Sequence, residues 1–382
     1  MCQVIMIGCD LHDQTMLLKI ATGRDEPETL SVRNTAAGRA KLLQRLGEQR
    51  GTAGGARVLF AYEASGQGFG LYDQLSEAGF ECYVLAPTRI ARSPRQASQK
   101  TDERDAQQLL ELLRGHVLAG NALPSVWIPD AATRDDRELV RMRLDVGEKI
   151  TRTKSQIQSL LKRNHLRRNE AVGKGWTRLF RAWLRATLCD SVASPLGAST
   201  RVALESLMRQ LDFLEEEQGR LDESLNHLAG TARYAAAVEE MGSLCGVGVL
   251  TALVFLTELG DLGRFANRRQ LAAYLGLVPR SFESGEATDR KGHITRQGSS
   301  RVRKVLCQAT WSRVRCDPEE KRAYERIVAR NPKKKKIAVV ASMRRLAVRM
   351  WHRGRACPPG HPSRSMILAS EGKVKKKREK VA

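Results

Sequence analysis

The sequence predicts an α/β layer in its first third and a mostly helical remainder, and three observations carry that reading. Apolar runs rich in β-formers alternate with helix-spaced segments over residues 1–130. Two long segments, 133–169 and 204–228, then repeat apolar residues at helical spacing. From Tyr234 onward, apolar helices and short loops return.

In order along the chain, "QVIMIGCDL" reads as an apolar strand and "TMLLKIAT", after the polar "HDQ", as its hairpin partner. "AAGRAKLLQRLGEQR" has helical spacing, "ARVLFAYEA" is a strand, "GFGLYDQLSEAG" a helix closed by Gly79, and "ECYVLAP" a further strand. The helix "DERDAQQLLELLRG" and a short strand "SVWIP" complete the layer, which has an antiparallel hairpin on one side. Thr133 is a suitable N-cap for a helix running to about Asn169, with Leu139, Met142, Val146, Ile150, Ile157, Leu160 and Leu161 apolar and its latter half basic. Trp176 and Trp183 lie among basic residues, before the connector "SVASPLGAST". A heptad-like seam follows at Leu204, Leu207, Leu211, Leu214, Leu221, Leu225 and Leu228, with Gln218 at the remaining core position. This seam suits either a coiled coil or a helical hairpin with residues 133–169. The tail from about Arg355 is rich in Pro, Gly, Ser and Lys and reads as a disordered basic arm that adds nonspecific phosphate affinity.

Charge narrows the function. The 382 residues hold 65 Lys+Arg against 42 Asp+Glu, a formal +23, which favours a polyanionic partner: nucleic acid first, an anionic membrane surface second. The most apolar run, Gly246–Gly260, is too short to span a bilayer and carries Thr and Glu. The first residues lack the basic region of a signal peptide. Eight scattered Cys without a CxxC pair predict buried or free thiols in a reducing cytoplasm rather than disulfides or structural zinc. Gly246-Val-Gly248, opening an apolar helix, reads either as a tight turn or as backbone N–H groups offered to phosphate.

Asp102 and Asp105 beside Thr101 are what any first helical turn favours, and could equally be half of a metal site. Asp10 and Glu63 each close an apolar strand, where an acid is unfavourable unless solvated, paired or bound to a cation. Residues just past strand ends converge on the ligand site in open α/β sheets, so these four carboxylates could meet and hold one or two Mg²⁺ ions. Taken singly, Asp10 and Glu63 are equally readable as solvent-facing turn residues.

"GCD", "YEASG" and "KTDERDA" together resemble the DEDD, RuvC-like domain of the IS one-ten family of bacterial insertion-sequence transposases. "GVGVLTA", "GRFANRRQLAAYLGLVPR", "ESG" and "GHITRQGSSRVRKVL" resemble that family's C-terminal domain in the same order, so the likeness runs from about residue 5 to 350. It implies a RuvC/RNase H-like domain at 1–130, long helices or a coiled coil for nucleic-acid binding and oligomerisation at 131–232, and a mostly helical transposase domain at 233–355; the basic tail at 356–382 lies outside the likeness. It further implies that Asp10, Glu63, Asp102 and Asp105 are Mg²⁺ ligands and that Ser284 is a nucleophile; by composition alone Ser284 is a turn residue. Donor and target DNA, a structured guide RNA and further copies of the chain are the implied partners, in a cytoplasmic, nucleoid-associated protein. Arg280, His293, Arg296 and Arg301 lie near Ser284 in sequence and could bind phosphate. Two departures from the family pattern are Cys9, where an aliphatic residue is usual, and Arg296, where Lys is common. Two other readings stand beside this one: a metal-only RuvC-like endonuclease with water as nucleophile, and a non-catalytic nucleic-acid-binding protein.

Overall fold

The computed structural model describes residues 3–91, 101–167, 173, 175–189, 196–281, 291–330 and 332–361. The chain divides into two compact units, residues 1–128 and 129–382.

The first unit is built on a five-stranded sheet in the order β3-β2-β1-β4-β5. Strands β1 (Val4–Leu11), β2 (Thr15–Thr22) and β3 (Glu28–Arg33) form an antiparallel meander, while β4 (Arg57–Glu63) and β5 (Glu81–Leu85) run parallel to β1. The order is consistent with a DEDD nuclease-like layer. Side chains alternate across the sheet. Ile5, Ile7, Cys9 and Leu11 of β1 pack with Leu42 and Leu46 of helix α1 (Ala36–Thr52) and Leu71 and Leu75 of α2 (Gly70–Glu77). Cys9 is fully buried there and packs as a small hydrophobe; burial pushes its thiol far above the usual range. The opposite face, with Met6, Leu59 and Ala61, is covered by Leu109, Leu110 and Leu113 of α3 (Asp102–Ala119).

Gly8 is the residue that seats α3. A Cβ there would stand 2.2 Å from the carbonyl oxygen of Ala106 and 2.4 Å from the backbone nitrogen of Leu110, so helix backbone lies directly on the strand. "SVWIP" does not become a strand: Ser125 makes an isolated bridge to Leu85, and Pro124 and Pro129 cannot donate to a longer ladder.

In the second unit the long helix α4 (Ala131–Arg163) starts earlier than the sequence predicts. Asp130, not Thr133, is its N-cap: Asp130 Oδ1 accepts from the Thr133 backbone nitrogen at 2.8 Å, and the Thr133 hydroxyl donates to Oδ2 at 2.7 Å. It also ends before Asn169, with Asn164 as its C-cap and His165 in the left-handed region. Residues 178–189 form α5 (Arg178–Cys189), whose Phe180 is sandwiched by Trp176 and Trp183, so these Trp belong to a core.

The leucine seam lies on α6 (Ala198–Ala229). It packs antiparallel against α4 of the same chain: Leu204 and Leu211 join Val146, Ile150, Ile157, Leu160 and Leu161, and the ion pairs Arg143–Asp222 and Lys154–Glu215 flank the contact. The helical-hairpin reading therefore describes this seam.

Helices α7 (Ala235–Gly242), α8 (Val249–Leu259), α9 (Arg268–Tyr274), α10 (Ser300–Cys316), α11 (Pro318–Arg330) and α12 (Lys335–Arg355) complete the unit, with a hairpin of β6 (Pro279–Ser281) and β7 (Lys291–Ile294). Every residue of α8 from Ala252 to Leu259 is buried. Gly246 (φ 86°) takes the tight-turn role: a Cβ would meet the Ala309 carbonyl oxygen at 2.6 Å, so the turn is pressed onto α10. The same approach overturns the free-thiol expectation at two positions. Cys245 and Cys316, 71 residues apart, form a disulfide, a pairing made by tertiary packing that no local spacing announces. Among the described residues Cys9, Cys82, Cys307 and Cys357 are free, and no helix is long and apolar enough to cross a membrane.

Glu258 is buried at the end of α8 and receives Arg141 of α4 at 2.8 Å. Burial alone would raise its carboxyl, but the Arg141 hydrogen bond and the Arg141 and Arg137 charges outweigh burial and hold it below the usual range.

Gly8→Ala is expected to cost about 1–3 kcal/mol, because α3 must lift off the sheet. Gly47→Ala, in α1 with nothing near its missing Cβ, should add up to about 1 kcal/mol. Urea unfolding of the full chain checks both, and an unshifted midpoint for Gly8→Ala would remove the seating argument. Glu258, with its lowered folded pKa, stabilises above the unfolded Glu value of about 4.3 and loses that contribution as pH falls through the folded value. Glu258→Gln should therefore cost about 1.5–3 kcal/mol at pH 7 and progressively less on acidification. A pH-independent difference in unfolding free energy would contradict the ion-pair account.

Candidate functional site

Asp10 is the penultimate residue of β1 and Glu63 the last of β4. The parallel register pairs Cys9 with Tyr62, so Asp10 and Glu63 are the next residues along neighbouring strands. By alternation both belong to the face that α3 covers, the side of Met6, Leu59 and Ala61.

The first turn of α3 supplies the other two acids. Thr101 is its N-cap, accepting from the backbone nitrogen of Arg104. Asp102 and Asp105 follow in the first turn, where both offset the positive end of the helix. They share a helix face because three residues make nearly one turn. Asp105 is half-buried, while the Asp102 side chain is 59% exposed.

His12, in the turn after β1, joins strand and helix. Its Nε2 lies 3.0 Å from Asp10 Oδ2 and 3.4 Å from Asp102 Oδ1, and donor atoms of all three residues fall within 4.8 Å of one another. The Asp10 side chain is only 15% exposed. Burial raises its carboxyl above the usual range, and the charges of Asp105 and Asp102 add to that, against the opposing effect of His12. Burial disfavours the charged imidazole of His12, but Asp10 and Asp102 outweigh it and raise the group. Three acids, one of them the largely buried Asp10, with a single imidazole to offset them are the chemistry of a divalent-cation seat. Two donors held about 2.1 Å from one octahedral ion at right angles are about 3.0 Å apart, close to the two His12 distances.

A hydrogen-bonded network fixes the two strand-end loops. Asn34 Nδ2 donates to the His12 carbonyl oxygen at 2.6 Å and to Gln67 Oε1 at 2.9 Å, while Arg39 Nε donates to Asn34 Oδ1 at 2.7 Å. The His12 turn is thereby tied to the loop that follows Glu63.

The sequence reading missed His12 and Asn34. His12 falls in "HDQ", read as a turn; the signal available was its position two residues after Asp10, the spacing that keeps side chains on one side of an extended chain. Asn34 lies 22 residues from its partner His12 and had no local signal. Ser284 lies outside the described residues. Arg280 and His293 are exposed on β6 and β7, Arg296 is exposed at φ 57°, and Arg301 pairs with Asp145 of α4 at 3.6 Å.

Comparison with known proteins agrees with this layout. Residues 7–166 match a DEDD transposase profile described as "Transposase", and residues 239–325 match one described as "Transposase IS116/IS110/IS902 family". A Sinorhizobium fredii protein, y4qE, named as a transposase, is 36% identical over 68% of this chain, which spans 60% of that relative's length. A second from the same organism, y4rJ, also named as a transposase, is 27% identical over 76% of this chain and 75% of its own. The transposase for insertion sequence element IS1533 of Leptospira borgpetersenii is 24% identical over 80% of this chain and 84% of its own. With residues 7–166 and 239–325 both matched in chain order, the chain carries the domains of the IS116/IS110/IS902 family of transposases.

Proposed function

We propose that this chain is a DNA transposase that cuts and rejoins strands during movement of an insertion sequence. In this reading Asp10, Glu63, Asp102 and Asp105 hold Mg²⁺, and Ser284 is the nucleophile. The observation that supports it most is the approach of Asp10 and Asp102 to one another, with His12, within the span that matches the DEDD profile. The rest of the mechanism is argued from chemistry.

When bound, Mg²⁺ supplies positive charge that holds the scissile phosphate and offsets the charge developing on it. Asp10 and Glu63 offer carboxylates from two adjacent strands, and Asp102 and Asp105 offer theirs from a rigid helical turn, so the donor set is preorganised. Ser284 Oγ forms a bond to phosphorus as the bond from phosphorus to the 3′ oxygen breaks. The Ser284 proton leaves to solvent and the 3′ oxygen takes one up. A phosphoserine ester and a free 3′-hydroxyl result, and a new 3′-hydroxyl can reverse the exchange without ATP.

Donor and target DNA are the substrates in this proposal, and the +23 formal charge suits them. A structured guide RNA would carry sequence choice through base pairing, with the protein gripping backbone. Copies of the chain would act together as a dimer or tetramer in which the two domains complete each other's sites.

Ser284→Ala should abolish the covalent protein–DNA adduct seen on a denaturing gel; an adduct that persists would sink the Ser284 assignment. Cleavage by the wild type that leaves a free 5′-phosphate and never an adduct would favour the metal-only endonuclease. Asp105→Ala should slow cleavage roughly 10³-fold, the loss of several kcal/mol of transition-state stabilisation. Asp10→Asn should raise the melting temperature in EDTA, because a disfavoured buried charge is removed. It should also erase the stabilisation that Mg²⁺ gives the wild type. Equal Mg²⁺ stabilisation of both proteins in a thermal melt would argue against a cation at Asp10.

A further inference from the structure

We propose that His12 is a nitrogen ligand of the divalent cation, so that the seat is a mixed nitrogen–oxygen site and not a set of four carboxylates alone. The inference rests on the carboxylate reading above and extends it by one ligand, drawn from the turn after β1.

Geometry carries it. Nε2 is 3.0 Å from Asp10 Oδ2 and 3.4 Å from Asp102 Oδ1. Those separations are near the edges of an octahedron with arms of about 2.1 Å, and an ion entering there would replace the proton of the Nε2–Asp10 hydrogen bond. The turn that carries His12 is fixed as well. Here the anchor is doubled: the His12 backbone nitrogen donates to the Thr15 carbonyl oxygen at 2.9 Å, and Asn34 holds the His12 carbonyl oxygen at 2.6 Å. Asn34 is held in turn by Arg39 and reaches Gln67. Because Gln67 follows Glu63 by one short loop, the same amide couples the imidazole's position to that of the strand-end carboxylate. Outer contacts of this kind orient metal ligands, which makes Asn34 a positioning residue.

Imidazole nitrogen binds first-row transition ions better than it binds Mg²⁺. The seat is therefore expected to accept both Mg²⁺ and Mn²⁺ but to favour Mn²⁺ more strongly than an all-oxygen site does. His12→Asp exchanges nitrogen for oxygen at the same place and should lower the ratio of Mn²⁺ to Mg²⁺ affinity. Asn34→Ala should weaken Mn²⁺ binding about tenfold while leaving every direct ligand in place.

The test is pulsed electron paramagnetic resonance of Mn²⁺ bound to the full chain containing ¹⁵N-labelled histidine, without DNA. Nitrogen coupling in the wild type that disappears in His12→Ala is the expected result. Mn²⁺ that is bound in the wild type, lost in Asp10→Asn, yet shows no histidine nitrogen coupling would overturn the His12 assignment and leave the carboxylate site standing. Mn²⁺ binding unchanged in Asp10→Asn would overturn both, since the ion would then sit elsewhere. Failure of DNA cleavage in a protein with the nitrogen coupling would count against the transposase mechanism alone.

Discussion

Helix α3 rests on β1 backbone against backbone, and the geometry of the acidic cluster depends on that contact. Gly8 supplies the space, since any Cβ would stand 2.2 Å from the Ala106 carbonyl oxygen. From this point Asp10 lies two residues along the strand, about 6.6 Å. Asp102 lies four residues back along the helix, about 6 Å. The two displacements are nearly equal, so the carboxylates reach the same level at the end of the sheet. A bulkier residue at position 8 would separate them without touching either. The buried stripe Ala106, Leu109, Leu110 and Leu113 then fixes the helix rotation that keeps Asp105 on the same side.

Much of the fold was legible because its periodicities are strong. Strands β1, β2, β4 and β5 and helices α1 and α3 each lie within or close to the segment that patterning picked out. Misreadings arose where a local signal had a competitor. Thr133 has the chemistry of a cap, but Asp130 stands three residues earlier with a better acceptor, and Thr133 became its partner. The α6 seam reads either as a coiled coil or as a helical hairpin, because spacing identifies an apolar face but not whether the helix that covers it belongs to the same chain. Cys245 and Cys316 are joined across 71 residues, a separation at which local spacing carries no information.

The acids of the candidate site were legible for a different reason. Asp10 and Glu63 each end an apolar strand, and burial energetics marks such residues as needing a partner. His12 and Asn34 escaped because polar turn residues are common and most do nothing beyond solvation. Only in the folded chain does His12 Nε2 approach two carboxylates and Asn34 pin its backbone. Sequence can nominate groups that are costly to bury; it does not nominate groups that are cheap to expose and happen to converge.

Charge gives the two scales of this molecule opposite signs. A formal +23 attracts a polyanion from a distance, and salt would weaken that attraction. At the end of the first unit's sheet the local charge is instead negative, and the charges of Asp105 and Asp102 act on Asp10. A phosphate drawn to the protein is repelled from that spot unless positive charge occupies it. His12 alone offsets only part of the deficit, since Asp10 remains raised with His12 at 3.0 Å. Under the proposed function this imbalance makes cleavage conditional: the protein can hold nucleic acid through its basic surface without cutting, and the carboxylates become competent only with a divalent ion between them and the phosphate. Binding and chemistry are then separable by chelation, with binding retained and cleavage lost.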